Sequence, residues 1–191
     1  AVSGFGSAIV MMLGFPSVFQ VSEAVAISSS VSLVNNIGLA AQFRRSIDIK
    51  SNWVPIAIYT TLGFSGVILT KYIYINLLGF LYGVFLVFLA TYFFCIRGRK
   101  LRIGTLFMLT GSIISGIGTG LFSIGGPMMA MYYTHRYSDH EKYMANVQIT
   151  FLLGNMVSMM MRVVNGIYTL HMLPFTAAGI IAVLIGQKIG V

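Results

Sequence analysis

The sequence predicts an all-α, polytopic membrane protein built from two sequence-related halves, each with a discontinuous glycine-rich segment. Three observations carry that prediction. First, the chain of 191 residues is 57% hydrophobic and only 8% charged, with a mean hydropathy of +0.88, which is far from the composition of a soluble domain. Second, its charges fall as loop markers. No Asp, Glu, Lys or Arg stands between Glu23 and Arg44, Lys50 and Lys71, Lys71 and Arg97, Arg102 and Arg136, Lys142 and Arg162, or Arg162 and Lys188. Each gap is the roughly 20 residues or more that a helix needs to cross the hydrocarbon core. Third, the stretch from Ser115 to Pro127 sets glycines, hydroxyls and a proline inside an apolar block, and Ser3-Gly4-Phe5-Gly6-Ser7, with Pro16 closing it, opens the chain with a blurred copy. Glycine costs backbone entropy and proline removes a helix hydrogen bond, so both stretches predict interrupted helices.

Taken in order, Ala1 to Val21 is apolar and holds the first interruption. A second span, Ala24 to Phe43, carries a hydroxyl cluster at Ser28, Ser29, Ser30 and Ser32 and an amide pair at Asn35 and Asn36. After the basic loop Arg44 to Lys50, a third span runs from Trp53 to Leu69; Trp53 suits an interfacial belt, and Pro55 falls in the span's first turn, where proline is tolerated. Lys71, Tyr72 and Tyr74 mark the next interface. The fourth span, Leu77 to Ile96, has almost no polar content and reads as facing lipid or a dry packing surface, with Gly79 and Gly83 spaced for close helix contact.

Arg97 to Arg102 is the most basic loop and the candidate cytoplasmic side. Ile103 to Tyr133 is too long for one straight span, so it reads as a discontinuous helix or a hairpin of two half-helices. The loop His135 to Lys142 leads to a span from Tyr143 to Met161 bearing Asn146, Gln148, Thr150 and Asn155. The last span, Met172 to Ile189, has Pro174 near its start.

Read against itself, the chain aligns Ser3-Gly4-x-Gly6-Ser7 with Ser115-Gly116-x-Gly118-Thr119, Pro16 with Pro127, Asn36 with Asn155, Arg45 with Arg162, Pro55 with Pro174 and Lys71 with Lys188. The ordered set points to duplication, with residues 1–97 as the first repeat and 103–191 as the second. The same comparison gives the expectation of a longer parent, with the start of the first copy and the last helix of the second missing. Orientation of the halves stays open: four crossings per half leave them parallel, three invert the second.

The net charge of +8 sits in short clusters between apolar spans, which is a positive-inside pattern and not a nucleic-acid surface. The single cysteine, Cys95, reads as packing. All four carboxylates, Glu23, Asp48, Asp139 and Glu141, stand at segment ends or in loops, so a buried carboxylate relay is not expected. Enzyme readings fail on spacing. Leu121 occupies the glycine position two before Ser123 that a nucleophile elbow needs, and it occupies the third glycine of a dinucleotide fingerprint after Gly116-x-Gly118. His135, Asp139 and His140 read as a solvated loop rather than a metal site; no cofactor is expected.

Within the spans, what remains is neutral: glycine backbone, hydroxyls and amides. Half-helix N-termini and bare backbone N–H groups favour an anion. The candidate substrate-binding residues are therefore Ser3, Gly4, Gly6, Ser7, Ser29, Asn36, Ser115, Gly116, Gly118, Thr119, Ser123, Gly125, Gly126, Pro127, Gln148 and Asn155. Against this stand two structural readings, close helix packing through Gly116 and Gly120 and interhelical hydrogen bonds for the amides. Arg45 and Arg162 read foremost as snorkelling interfacial residues, with charge at the cavity mouths as the alternative.

Ser115-Gly116-x-Gly118-Thr119-Gly120 followed by Ile124-Gly125-Gly126-Pro127, Ala24-x-Ala26-Ile27-Ser28-Ser29 and Gly63-x-x-Gly66 resemble the TauE/SafE sulfite exporter family, also called the toluene sulfonate uptake permeases. The likeness extends over essentially the whole chain. It departs at Leu13-Gly14-Phe15-Pro16, which lacks the paired glycines of the second copy, and at Ile27, where threonine is common. The resemblance implies secondary transport of sulfite, sulfoacetate, sulfonates or other small anions across a bacterial inner membrane. The expected partners are a small anionic substrate and the lipid bilayer; proton or sodium coupling, and a homo-oligomer, stay open. An anion channel and a non-transporting membrane scaffold are the competing readings.

Overall fold

The computed structural model describes residues 6–96 and 104–189, so Ser3 and Gly4 lie outside the described residues. The described chain is helical without strands: α1 (Gly6–Gly14), α2 (Val21–Gln42), α3 (Ile49–Thr70), α4 (Ile75–Ile96), α5 (Thr105–Phe122), α6 (Gly126–Arg136), α7 (His140–Val164) and α8 (Leu173–Ile189), with 3₁₀ turns at Phe15–Ser17, Arg44–Ser46 and Leu170–Met172. Six helices are long and apolar enough to span a bilayer, α1 and α6 being too short.

Polar side chains fix where the long helices begin. Gln20 and Glu23 form a reciprocal capping box on α2. Asp48 accepts from Ser51 N at 3.0 Å to cap α3, and Asp139 accepts from Glu141 N at 2.8 Å to cap α7.

A polar cluster shows which helix ends lie together. Asn146 Oδ1 accepts from the Asp48 backbone N–H at 2.9 Å and from Asn52 Nδ2 at 3.1 Å, while Asn146 Nδ2 donates to Ser46 O at 3.3 Å. Asn52 Nδ2 also donates to the Tyr137 hydroxyl at 2.7 Å. The C-terminal ends of α2 and α6 and the N-terminal ends of α3 and α7 are thereby joined. Among the described residues, Arg44, Arg45, Lys50, Arg136 and Lys142 stand at this end, which we call the basic end. At the opposite end, His171 Nε2 meets Glu23 Oε1 at 3.1 Å, joining the start of α2 to the turn that begins α8, and the exposed Lys71, Tyr72 and Tyr74 follow α3.

Helix α5 runs parallel to α3 and nearly on its backbone. A Cβ on Gly66 would lie 3.0 Å from the Cα of Gly120, one on Gly116 would lie 2.8 Å from Tyr59 O, and one on Gly120 would strike Gly63 O. At the C-terminal end of α5 the chain reverses. Helix α6 returns along α5, with Ser112 Oγ 3.6 Å from Met129 Sδ, a Cβ on Gly111 3.8 Å from Met128 O, and Phe107 and Met108 packed against the cluster that holds Met129, Ala130, Tyr132 and Tyr133. It ends where Arg136 Nη2 donates to Ser51 O at 3.2 Å. From Thr105 to Arg136 the chain is therefore a hairpin whose two outer ends lie at the basic end and whose second arm has 11 residues, about 16 Å at 1.5 Å per residue. Helix α7 then runs to the opposite end and α8 back, parallel to α2, with Gly179 against Val31 and Gln187 Nε2 donating to Asn35 Oδ1 at 2.8 Å.

Three expectations are corrected. The glycine stretch is not interrupted throughout: α5 stays continuous through Ser115, Gly116, Gly118 and Thr119 and breaks only at Ser123 to Gly125, because Gly116 and Gly120 are matched by α3's own glycines and the close contact offsets their helix cost. Pro55 is inside α3 instead of in its first turn, since α3 begins at Ile49. Its missing N–H leaves the Ser51 carbonyl free, and this is the carbonyl that Arg136 takes up. The Gly79 and Gly83 pair makes no close helix contact: a Cβ on Gly83 would meet nothing within 4 Å, and one on Gly79 only Val21 Cγ2 at 3.9 Å. Helix α4 instead turns one stripe, Leu78, Tyr82 and Leu89, onto Met12, Ala24, Val25 and Phe122 and exposes Phe80, Val84, Val87 and Phe94.

Candidate functional site: an uncharged cavity at the hairpin turn

The end of α5 is unusual for its residue type. Ser123 adopts φ 59° and ψ 18°, the only positive φ at a non-glycine position among the described residues. Its N–H bonds Thr119 O at 3.0 Å, the αL cap that normally takes glycine, and the Ile124 N–H bonds Gly118 O at 3.2 Å. A serine there costs on the order of 1 kcal/mol in backbone conformation. What it gains is position. Its hydroxyl accepts from Ser29 Oγ of α2 at 3.1 Å and borders a cavity.

Gly125 brings the chain back toward α5; a Cβ there would collide with Thr119 Oγ1 and Ser115 O, so no other residue permits this return. Gly125 caps α6, and Gly126 and Pro127 form its first turn. First-turn N–H groups have no partner inside their own helix and carry its positive dipole end. Gly125 and Gly126 line the cavity, so that end faces into it.

The other walls come from four helices. Helix α1 contributes Ser7, Ala8 and Ile9; α2 contributes Ser32 and Asn36; α3 contributes Tyr59; and α7 contributes Phe151 and Asn155. Tyr59 is fully enclosed, and its hydroxyl lies 2.7 Å from Thr119 Oγ1. Its ring lies against Gly154, where a Cβ would overlap it. The wall holds no Asp, Glu, Lys, Arg or His. It does hold unpaired polar atoms: Ser32 Oγ and Asn155 Oδ1 are buried without a hydrogen-bond partner. Buried polar groups without partners are rare and mark a place where a ligand or water completes the set. The space open to the centre of a water molecule is about 20 Å³, little more than one water.

Of the residues singled out in the sequence, Ser7, Asn36, Thr119, Ser123, Gly125, Gly126 and Asn155 meet on this cavity from five helices and the turn between α5 and α6. Ser29 stands one hydrogen bond behind it. Gly116 faces Tyr59 and Leu62 instead, and Gly118 faces the Phe85 ring and Ile124 O. Ser115 and Gln148 are buried off the cavity wall, and Pro127 is buried in the first turn of α6. Gly6 begins the described chain, while Ser3 and Gly4 precede it. Ser32, Tyr59 and Phe151 were not among the sequence candidates. Ser32 had a signal, its one-turn spacing from Asn36 on α2; Tyr59 had none, because its place depends on the α3–α5 crossing.

Arg162 is also relocated. It is 1% exposed, not snorkelling, and its Nη2 donates to Gly120 O at 2.5 Å. The α5 C-terminus, whose last carbonyls are otherwise orphaned, draws it inward. Arg45 remains at the basic end, in the exposed turn after α2.

A bundle of membrane-length helices around a small cavity with no charged residue in its wall defines a polytopic α-helical membrane protein. The chain matches the family model for "Sulfite exporter TauE/SafE" over residues 1–191, and it belongs to that family of membrane transporters. No curated protein and no solved structure matches it.

Proposed function

We propose that the protein is a secondary transporter of small sulfur-containing or organic anions, with sulfite the simplest candidate, and that it holds its substrate in the cavity at the start of α6 and works by alternating access. One observation carries this reading: the positive end of a half-length helix faces a buried cavity whose wall is neutral and polar and includes side-chain atoms without partners. Such a site offers an anion N–H and O–H donors in place of its hydration shell. A small ligand fits the narrow space with slight opening; a bulky sulfonate needs a wider conformation.

The basic end is the cytoplasmic side on this reading, in a bacterial inner (plasma) membrane, because the exposed arginines and lysines gather there. We further read the halves as inverted copies. Helix α1 runs from the cavity to the opposite end as α6 runs from it to the basic end; α2 and α3 then follow α1 as α7 and α8 follow α6, with a 3₁₀ turn between α2 and α3 and another between α7 and α8. This pairs α1 with α6, so the first glycine phrase corresponds to Ser123 to Gly126 and not to Ser115 to Thr119.

The test is a thermal-shift series on the purified full chain against sulfite, sulfoacetate, taurine and carboxylate controls, followed by counterflow in liposomes. Anion-dependent stabilisation with saturable counterflow is expected. Flux without saturation or counterflow points to a channel; no stabilisation by any anion and no flux points to a scaffold, and either result overturns the proposal.

A further inference from the structure

The cavity is not the only place where buried polar atoms lack partners. Along α7, Asn155 Oδ1, Ser158 Oγ, Arg162 Nε and, at the residue that ends the helix, Asn165 Nδ2 are all without hydrogen bonds. Steps of three and four residues put them on one face of the helix. That face starts at the cavity and runs toward the end of the molecule opposite the basic end. It is closed here: Ser158 is 0% exposed, and a Cβ on Gly63 of α3 would come within 3.3 Å of its hydroxyl.

Arg162 gives the stripe its sign. It forms no ion pair among the described residues, and its one full-strength contact is the donation to Gly120 O. A cation buried at such depth is costly, and the α5 C-terminus offsets only part of that cost. Tying down a carbonyl needs a neutral donor alone; a permanent positive charge beside an unpaired Nε provides more than an anchor. Resting on the anion-transport reading of the cavity, we propose that Arg162 is a second anion station and that the stripe Asn155, Ser158, Arg162 and Asn165 is the route between the cavity and the end of the molecule opposite the basic end. Its ligand is the same class of small anion that the cavity takes.

Charge-selective access at Ser158 tests the route without requiring the transported anion to be known. Ser158→Cys is made in the full chain carrying Cys95→Ser, placed in vesicles, and treated from each side with anionic and cationic methanethiosulfonates, each rate being divided by that reagent's rate with a free thiol. The expected result is modification from the side opposite the basic end, with the anionic reagent favoured on the order of tenfold by the local potential. The preference should vanish in Ser158→Cys with Arg162→Gln and persist with Arg162→Lys. Absence of modification from that side, or a preference unchanged by Arg162→Gln, overturns the proposal. A second measurement separates station from anchor. Arg162→Lys and Arg162→Gln should both keep sulfite binding at the cavity within about threefold, while Arg162→Gln slows counterflow at least tenfold; equal counterflow in the two variants also overturns it. A wild-type chain that ignores every anion defeats the cavity reading, whereas charge-blind labelling defeats the route, so the two failures are distinct.

Discussion

Gly116 and Gly120 sit a few residues before Gly125 and Gly126 in one phrase, yet the two pairs live in different physical settings. The first pair is a contact surface on α3, Gly116 against Tyr59 and Leu62 and Gly120 against the Gly63 and Gly66 backbone, with no room for a methyl group at Gly120. The second pair is a turn and a helix start, open to a cavity on one side. Close packing, one of the two explanations the sequence offers for the phrase, accounts for its first pair, and the anion binding proposed above falls on the second. The lesson is that a glycine's role follows from what its missing side chain would have touched.

The comparison can be broken or sharpened by substitution. The largest effect is expected at the contact surface: Gly120→Ala should lower stability by about 3 kcal/mol or more, because the new Cβ meets backbone that cannot move aside. Thermal denaturation in detergent checks this, and the fraction that folds should keep its anion affinity. Asn155→Ala should do the reverse, weakening sulfite binding by roughly tenfold, or about 1.4 kcal/mol, with little change in melting temperature, since its Oδ1 makes no hydrogen bond within the protein. A large loss of stability with affinity unchanged would make Asn155 a structural residue. Tyr59→Phe touches both regions and should cost about 1 kcal/mol by removing the 2.7 Å bond to Thr119, with a few-fold loss of affinity in the same titration. The smallest effect is expected at Gly83, where a methyl group meets open space: Gly83→Ala should raise stability by a few tenths to about 1 kcal/mol and leave binding alone.

How much was legible in the sequence depended on whether the signal was local. Helix positions were local, set by the charge gaps and by caps such as Asp48 and Asp139, and they were readable to within a turn or so. Asn36 and Asn155, the two amides that the sequence aligns with one another, both line the cavity. Direction was not readable. That α6 folds back on α5 could be offered only as one of two ways to absorb excess length, because the contacts between Ser112 and Met129 and between Arg136 and Ser51 join residues far apart in the chain. Arg162 was misread for a related reason: a lone arginine near a span's end resembles a surface anchor until the carbonyl that draws it inward is placed beside it.

The neutral wall of the cavity bears on energetics. A site without ionisable carboxylates or amines compensates its guest with fixed dipoles, and dipoles do not travel. On the transport reading proposed above, each crossing carries the guest's whole charge through the membrane's electric field, and with the interior negative an outward-moving monoanion gains about 2.3 kcal/mol per 100 mV. Voltage alone can then power efflux without a co-transported proton or sodium ion. Vesicles clamped with potassium and valinomycin are expected to show efflux that rises with interior-negative potential at constant pH and sodium, and voltage-independent flux would reveal a compensating ion.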